Sequence, residues 1–405
     1  MPATNEPRPA GASDEVLGEI GHVVDKHEED LVELRRDLHR HPELSWHERR
    51  TTDRVIEAVT RAGWRVQPAT RSGAVAEIGD GDGLVALRAD LDALPVQDRT
   101  DDPWASRVPG VAHACGHDVH TASLVGAAYA LGELHQRGAL PGRVRLLFQP
   151  AEEVMPGGAQ HLITEGALDG VERIFALHCE PSVDVGRIGI RSGAITSAAD
   201  RIEVRLEGTG GHTSRPHLTG DLTFALAKVT SELPAVLSRR MDPRSGVSMV
   251  WGLLRAGSAP NVIPGQGIAA GTVRILDTVA WESCEAVVRE AVLDIVRPYG
   301  VTASIDYLQG VPPVVNDPTA TGVITDVGTV MLGEHRLVEV PQSLGGEDFG
   351  WYVDQIPGAM FRLGTRTPGG PTYDLHQGDL RVDEQAIAVG ARILAGVALR
   401  SLAAR

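Results

Sequence analysis

Val144-Arg145-Leu146-Leu147-Phe148-Gln149-Pro150-Ala151-Glu152-Glu153 reads as a short apolar strand that gives way at once to two adjacent carboxylates. The same pattern recurs along the chain. Leu84 to Leu87 is followed by Asp90 and Asp92, Ile174 to Leu177 by His178, and Met360 to Leu363 forms a fourth segment of this kind. Helical stretches separate these segments, Thr121 to Leu134 and Ala386 to Leu399 most clearly. Strands alternating with helices predict an α/β fold, a largely parallel sheet covered on both faces. Ligands in such sheets gather beyond the carboxyl ends of the strands, where these polar residues lie. Residues 14–63 add two leading helices, with Val23, Val24, Leu31, Leu34 and Leu38 on one face and a break at His41-Pro42-Glu43.

Residues 197–308 have a different rhythm. Strand (Arg201 to Leu206), helix (Asp221 to Arg239), two strands (Val247 to Leu254, Ile268 to Ile275), helix (Trp281 to Val296) and strand (Thr302 to Tyr307) give the order βαββαβ, the ferredoxin-like split motif. Such an insert is self-contained, so the larger domain is expected to be discontinuous: 1–195, then the insert 196–308, then 309–405, with hinges near Gly193 and Gly310. The first dozen residues, rich in Pro, Ala and polar groups, read as disorder-prone.

Composition limits the function. A chain of 405 residues exceeds one ordinary core, and 42% hydrophobic residues suffice for two. A net charge of −16 lacks the basic footprint that nucleic acid or an anionic membrane requires, which leaves small molecules as expected partners. No apolar run is read as approaching the roughly 18 residues of a membrane span, and MPATNEPRPAGASDE has no apolar export segment, so a cytoplasmic protein is expected. Three scattered cysteines fit reduced thiols better than a disulfide framework. Neither lysine, Lys26 or Lys228, sits in a glycine-rich phosphate loop, and no G-x-S-x-G elbow is present, which argues against a Walker ATPase and a serine hydrolase.

The residues that carry chemistry cluster at the strand ends. In His113-Ala114-Cys115-Gly116-His117-Asp118 an extended backbone would turn 113, 115 and 117 to one side, letting two or three donors share a metal. The bland alternative is a buried structural cysteine beside surface histidines. Gly116 permits close backbone approach, and Asp118 to Thr121 can cap the helix that follows. Neighbouring side chains in a turn diverge, so of Glu152 and Glu153 one can bind metal while the other works as a base on water; a solvated acidic loop is the alternative. His178 and His376 stand at similar strand-end positions. Thiolate, imidazole and carboxylate together suit a transition metal and point to metal-assisted hydrolysis. Within the insert, Gly210 to His217 offers a glycine-rich turn at a helix N-terminus, suited to an anion or oxyanion or else a plain loop. Asn261 adds an amide and Arg274 a guanidinium able to clamp a carboxylate, unless it serves a surface ion pair. Gly346-Glu347-Asp348-Phe349 reads as an acidic helix start, with Asp348 placed to support the site from behind.

Taken in order, Arg88-Ala89-Asp90-Leu91-Asp92-Ala93-Leu94-Pro95, His113 to Asp118, Phe148 to Glu153, Ala176-Leu177-His178, Gly211-His212, Asn261 to Pro264, Gly271 to Arg274 and Gly346 to Phe349 resemble the M20 metallopeptidase and amidohydrolase family. The likeness spans nearly the whole chain and lies nearest the aminoacylase and hippurate-hydrolase branch. It implies a zinc-peptidase-like catalytic domain with the insert as lid and dimerisation domain, hence a homodimer. It implies two divalent ions per subunit, manganese or zinc first and cobalt next, held by Cys115, His117, Glu153, His178 and His376, with Glu152 as general base. It also implies that His212, Asn261 and Arg274 contact the substrate, His212 sometimes in the neighbouring subunit's site. The expected reaction is hydrolysis of an N-acyl amino acid, or a similar small amide, to a carboxylate and a free amino acid. A dipeptidase or exopeptidase of the same fold and a non-catalytic metal-binding protein are the alternatives. Three departures stand out. Asp90-x-Asp92 replaces the His-x-Asp of more distant branches, so a cysteine-containing ligand set is expected and Asp92 supports it from behind. Gln97-Asp98 stands where the branch commonly has Gln-Glu, and Leu375-His376-Gln377-Gly378 lacks the usual Asn-Pro after the histidine.

Overall fold

The computed structural model describes residues 14–403, so the N-terminal dozen read as disorder-prone lies outside it. The described residues form two compact units, one of 14–193, Asn316–Pro341 and 351–403, the other of Ala194–Val315 and Gln342–Gly350.

The first unit is built on an eight-stranded sheet in the order 65–68, 74–79, 143–149, 84–90, 173–184, 358–366, 188–190, 337–339. Its centre is parallel: Leu84–Asp90 pairs with both Arg143–Gln149 and Arg173–Asp184, and Gly358–Arg366 pairs with the latter. Leu84–Asp90 is buried along its whole length, which is why it reads as an unbroken apolar run rather than an alternating one. Helices His117–Gln136 and Gln385–Ala403 pack against each other. Their approach depends on glycine: a Cβ on Gly126 would stand 2.7 Å from the Ala391 side chain and 2.8 Å from Leu31. The leading segment makes three helices rather than two, Asp14–Lys26, Glu28–Arg40 and Arg49–Arg61.

Three local readings need correction. Gln385–Ala403 does contain an 18-residue window long and apolar enough to cross a membrane, but 83% of that window is buried inside the protein, as befits a core helix. The strand carrying His178 runs on to Asp184, so this histidine lies within the strand and not after it. Finally, His113 to His117 is a turn that enters a helix at His117 itself. Gly116, at φ +85°, occupies the N-cap and offers no side chain, while Asp118 Oδ1 accepts from the amide of Val119 in the first turn at 3.0 Å.

In the second unit a four-stranded antiparallel sheet runs in the order 248–256, 266–275, 198–207, 302–311, with helices Leu222–Arg240 and Thr278–Val296. This is the ferredoxin-like arrangement expected from the βαββαβ order. Alternation sets its face: Ile202, Val204 and Leu206 are buried while Arg201 and Arg205 are exposed. Asp221 and Asp277 cap the two helices by accepting from the amides of Phe224 and Ala280.

Candidate active site and metal centre

The first unit brings six donors to one place. Cys115 Sγ, a Glu153 carboxylate oxygen and a His376 ring nitrogen lie within 4.8 Å of one another, and so do donors of His117, Glu152 and Glu153; Glu153 belongs to both groups. His178 joins the first, its Nε2 lying 3.6 Å from Cys115 Sγ. His376 Nε2 is 3.3 Å from Glu153 Oε1, and His117 Nε2 is 3.8 Å from Glu153 and 4.0 Å from Glu152. His113 stays out of this group, because in a turn residues 113, 115 and 117 no longer share a side; its ring stands 6.3 Å from that of His39.

Each donor is oriented by its neighbours. His178 Nδ1 donates to the carbonyl of Cys179 at 2.8 Å, which fixes the tautomer and leaves the Nε2 lone pair facing Cys115. Asp92 holds the adjacent glutamates by their backbone: Oδ1 accepts from the Glu152 amide and Oδ2 from the Glu153 amide, both at 3.0 Å. Its Oδ1 also lies 3.4 Å from His117 Nδ1. Behind this layer, the fully buried Arg88 donates to Asp90 Oδ2 at 2.6 Å and to Gln149 at 2.9 Å. Asp90 Oδ1 accepts from His120 Nδ1 at 2.6 Å, and His120 Nε2 accepts from the amide of Cys179 at 2.8 Å. His120 is thus spent on the strand that carries His178.

The residues fit a cation. Both ring nitrogens of His117 and Oε1 of Glu153 are buried without completing a hydrogen bond, which folded proteins rarely tolerate without a bound ion or water. Burial opposes charge on His117, but Asp90, Asp92 and Glu153 outweigh it and push its pKa up to about 10. Burial and then Glu153 and Glu152 hold the Cys115 thiol well above its usual range. Burial, with Arg362 and His120, keeps His178 neutral by holding its pKa well below normal. Acidic groups crowded with a protonated thiol and imidazole are what a divalent ion would relieve, taking the place of the two protons.

In the second unit, His212 sits on a two-residue strand paired with Val262-Ile263. Its Nδ1 accepts from the Ser214 amide at 3.1 Å, so the ring hydrogen lies on Nε2. The carbonyl of Asn261 accepts from the amide of Thr213, tying the two loops together. Arg274 is half-buried, and burial lowers its pKa against the pull of Asp200. Glu347 Oε1 accepts from the Phe349 amide at 2.9 Å, and Asp348 is fully buried.

Sequence reasoning overlooked Ser45 and Glu48. Ser45 donates to Asp92 at 2.7 Å, and Glu48 accepts from the amide of Ala151 at 2.8 Å. Neither stands in a pattern that marks chemistry; only a polar residue between helices, in an otherwise amphipathic stretch, signals them.

The chain matches the model of peptidase family M20/M25/M40 over residues 86–400. It is 48% identical to a Rhodococcus jostii protein named as a candidate glutamate–cysteine ligase; the match covers 91% of this chain but only 46% of that protein. It is 37% identical to the N-acetylcysteine deacetylase of Bacillus subtilis, over 91% of this chain and 96% of the other. Among solved structures, a Bacillus subtilis protein described as a dinuclear metal binding peptidase from the M20 family superimposes with a TM-score of 0.81 at 34% identity, covering 93% of this chain and 99% of the other. This chain belongs to peptidase family M20/M25/M40.

Proposed function

We propose that the protein is a metal-dependent amidohydrolase that cleaves N-acyl amino acids, N-acylated cysteine among them, to a carboxylate and a free amino acid. Family membership makes it a hydrolase of amide bonds. The observation that carries the reading is the pair Glu152-Glu153: one carboxylate stands among Cys115, His376 and His117, and its neighbour shares the same pocket. Two divalent ions, manganese or zinc, held by Cys115, His117, Glu153, His178 and His376 would polarise the scissile carbonyl and make water a competent nucleophile at neutral pH.

The chain's own residues do the rest. Glu152 accepts the proton of the attacking water and returns it to the leaving nitrogen, so the amide and water become an acid and an amine. His212, with its hydrogen on Nε2, donates to the carbonyl oxygen, and Asn261 and Arg274 bind the substrate's carboxylate. The second unit serves as a lid and dimerisation domain. Support for a homodimer comes from its edge strand Ser248–Ala256, where Val250, Leu253 and Leu254 are exposed. Cysteine is favoured as the amino acid because the Bacillus subtilis relative, matched over nearly its whole length, is named as an N-acetylcysteine deacetylase. The word peptidase in the solved relative's description favours a second reading, a dipeptidase.

A panel of N-acetyl, N-benzoyl and longer-chain acyl amino acids, N-acetylcysteine included, assayed beside dipeptides on protein loaded with manganese, zinc or cobalt, tests this. Acyl amino acids should be turned over fastest. Turnover of dipeptides alone would select the peptidase, and turnover of neither would refute both readings.

A further inference from the structure

The segment Glu43–Glu48 takes no part in the chemistry above, yet it is wired to the loops that carry it. The Ala93 amide donates to the Glu43 carbonyl at 2.8 Å, Leu44 bridges Ala93, and Ser45 donates to Asp92. Glu48 is fully buried. Its Oε1 accepts from the amide of Ala151 at 2.8 Å and its Oε2 from the hydroxyl of Ser72 at 2.7 Å.

Ala151 is itself unusual. It is buried and stands at φ +53°, the left-handed region that disfavours any residue with a Cβ. Such a conformation persists only where the surroundings over-determine it. Here the Gly158 amide donates to the Ala151 carbonyl at 3.0 Å, and Glu48 takes the Ala151 amide. Asp92 takes the next two amides. Three consecutive N–H groups, 151 to 153, are therefore held by two buried carboxylates.

We propose that Glu48 is a positioning residue for the Ala151–Glu153 turn, fixing the direction in which Glu152 and Glu153 leave the backbone. This rests on the reading of Glu152 as base and Glu153 as ligand. What matters is reach rather than charge: glutamine spans the same distance and still offers an oxygen to Ala151, whereas aspartate, one methylene shorter, cannot serve Ala151 and Ser72 together.

Glu48→Gln and Glu48→Asp test the idea in the full metal-loaded chain. Glu48→Gln should keep kcat within about threefold of the parent, while Glu48→Asp should lose about 30-fold in kcat with KM nearly unchanged, as misplacement of a reacting group does. Hydrogen exchange at the Ala151 amide should speed up at least about tenfold in Glu48→Asp and stay near the parent rate in Glu48→Gln. Equal kcat and exchange in Glu48→Asp and the parent would overturn the proposal, as would a glutamine variant as damaged as the aspartate one. A lowered melting temperature with unchanged kcat would also overturn it, by showing a merely structural role. The exchange measurement needs no turnover. If the parent cleaves no acyl amino acid, the functional reading falls while exchange still decides the place of Glu48.

Discussion

The backbone amide of His376 donates to the carbonyl of Ala114 at 2.7 Å, clamping the loop before the last helix onto the turn that carries Cys115. His376 reaches this contact at φ +63°. The tether uses backbone only, so ring and fold can be separated. His376→Ala should retain the melting temperature of the metal-free protein within a few degrees but weaken one metal equivalent by at least about 10–100-fold, a loss that even the outer partners of ligands produce. Titration with cobalt, followed by absorbance, measures this; unchanged affinity would remove His376 from the ligand set.

Asp92 accepts from two amides at once, so Asp92→Asn would turn an NH2 group towards one of two N–H donors. A buried donor left unpaired costs about 1–3 kcal/mol, which corresponds to about 5–150-fold in rate if the cost falls on the transition state. Steady-state kinetics should show that loss in kcat with little change in KM.

Metal binding should release protons. The pKa of His117 is pushed up to about 10, and that of Cys115 stands well above the ordinary thiol range, so both carry protons at neutral pH before metal enters. Calorimetry in buffers of different ionisation enthalpy should count at least about two protons released per subunit near pH 7, with a further contribution from His376, whose pKa the hydrogen bond to Glu153 raises, and affinity should tighten as pH rises. Release of none would contradict the assignment. In metal-free protein the raised pKa of His117 also has a stability consequence. Its contribution is fully present below the ordinary histidine pKa and is lost as pH climbs through about 10.

His113 behaves in the opposite way. Burial, outweighing the pull of Asp118, pushes its pKa down to about 4, and neither ring nitrogen has a hydrogen-bond partner. The unfolded chain binds this proton at about pH 6.5, so stability attached to His113 is present above that pH and lost as pH falls towards 4. The full shift is worth about 3 kcal/mol. His113→Phe should flatten the acid limb of a plot of melting temperature against pH, and an unchanged limb would refute this.

The large sheet was legible because its central strands are covered on both faces and read as unbroken apolar runs, and the insert because Ile202, Val204 and Leu206 alternate with charged residues. Burial of the same kind gives Gln385–Ala403, read correctly as a helix, the composition of a membrane span that the sequence reading did not register. The start of the helix at His117 was hidden because a left-handed glycine, with no side chain to announce it, provides the N-cap. The polar residues of the strand that continues through His178 masked its length. Glu48 acts through a backbone amide 103 residues away, a relationship that no local pattern can carry.

Glu152→Gln tests the central claim most directly. The substitution preserves size and removes the proton acceptor, leaving Cys115, His117, Glu153, His178 and His376 in place. With the best acyl amino acid, kcat should fall by roughly 10²–10⁴-fold while elemental analysis still finds the parent's metal content. A near-normal rate in the fully loaded variant would contradict the account.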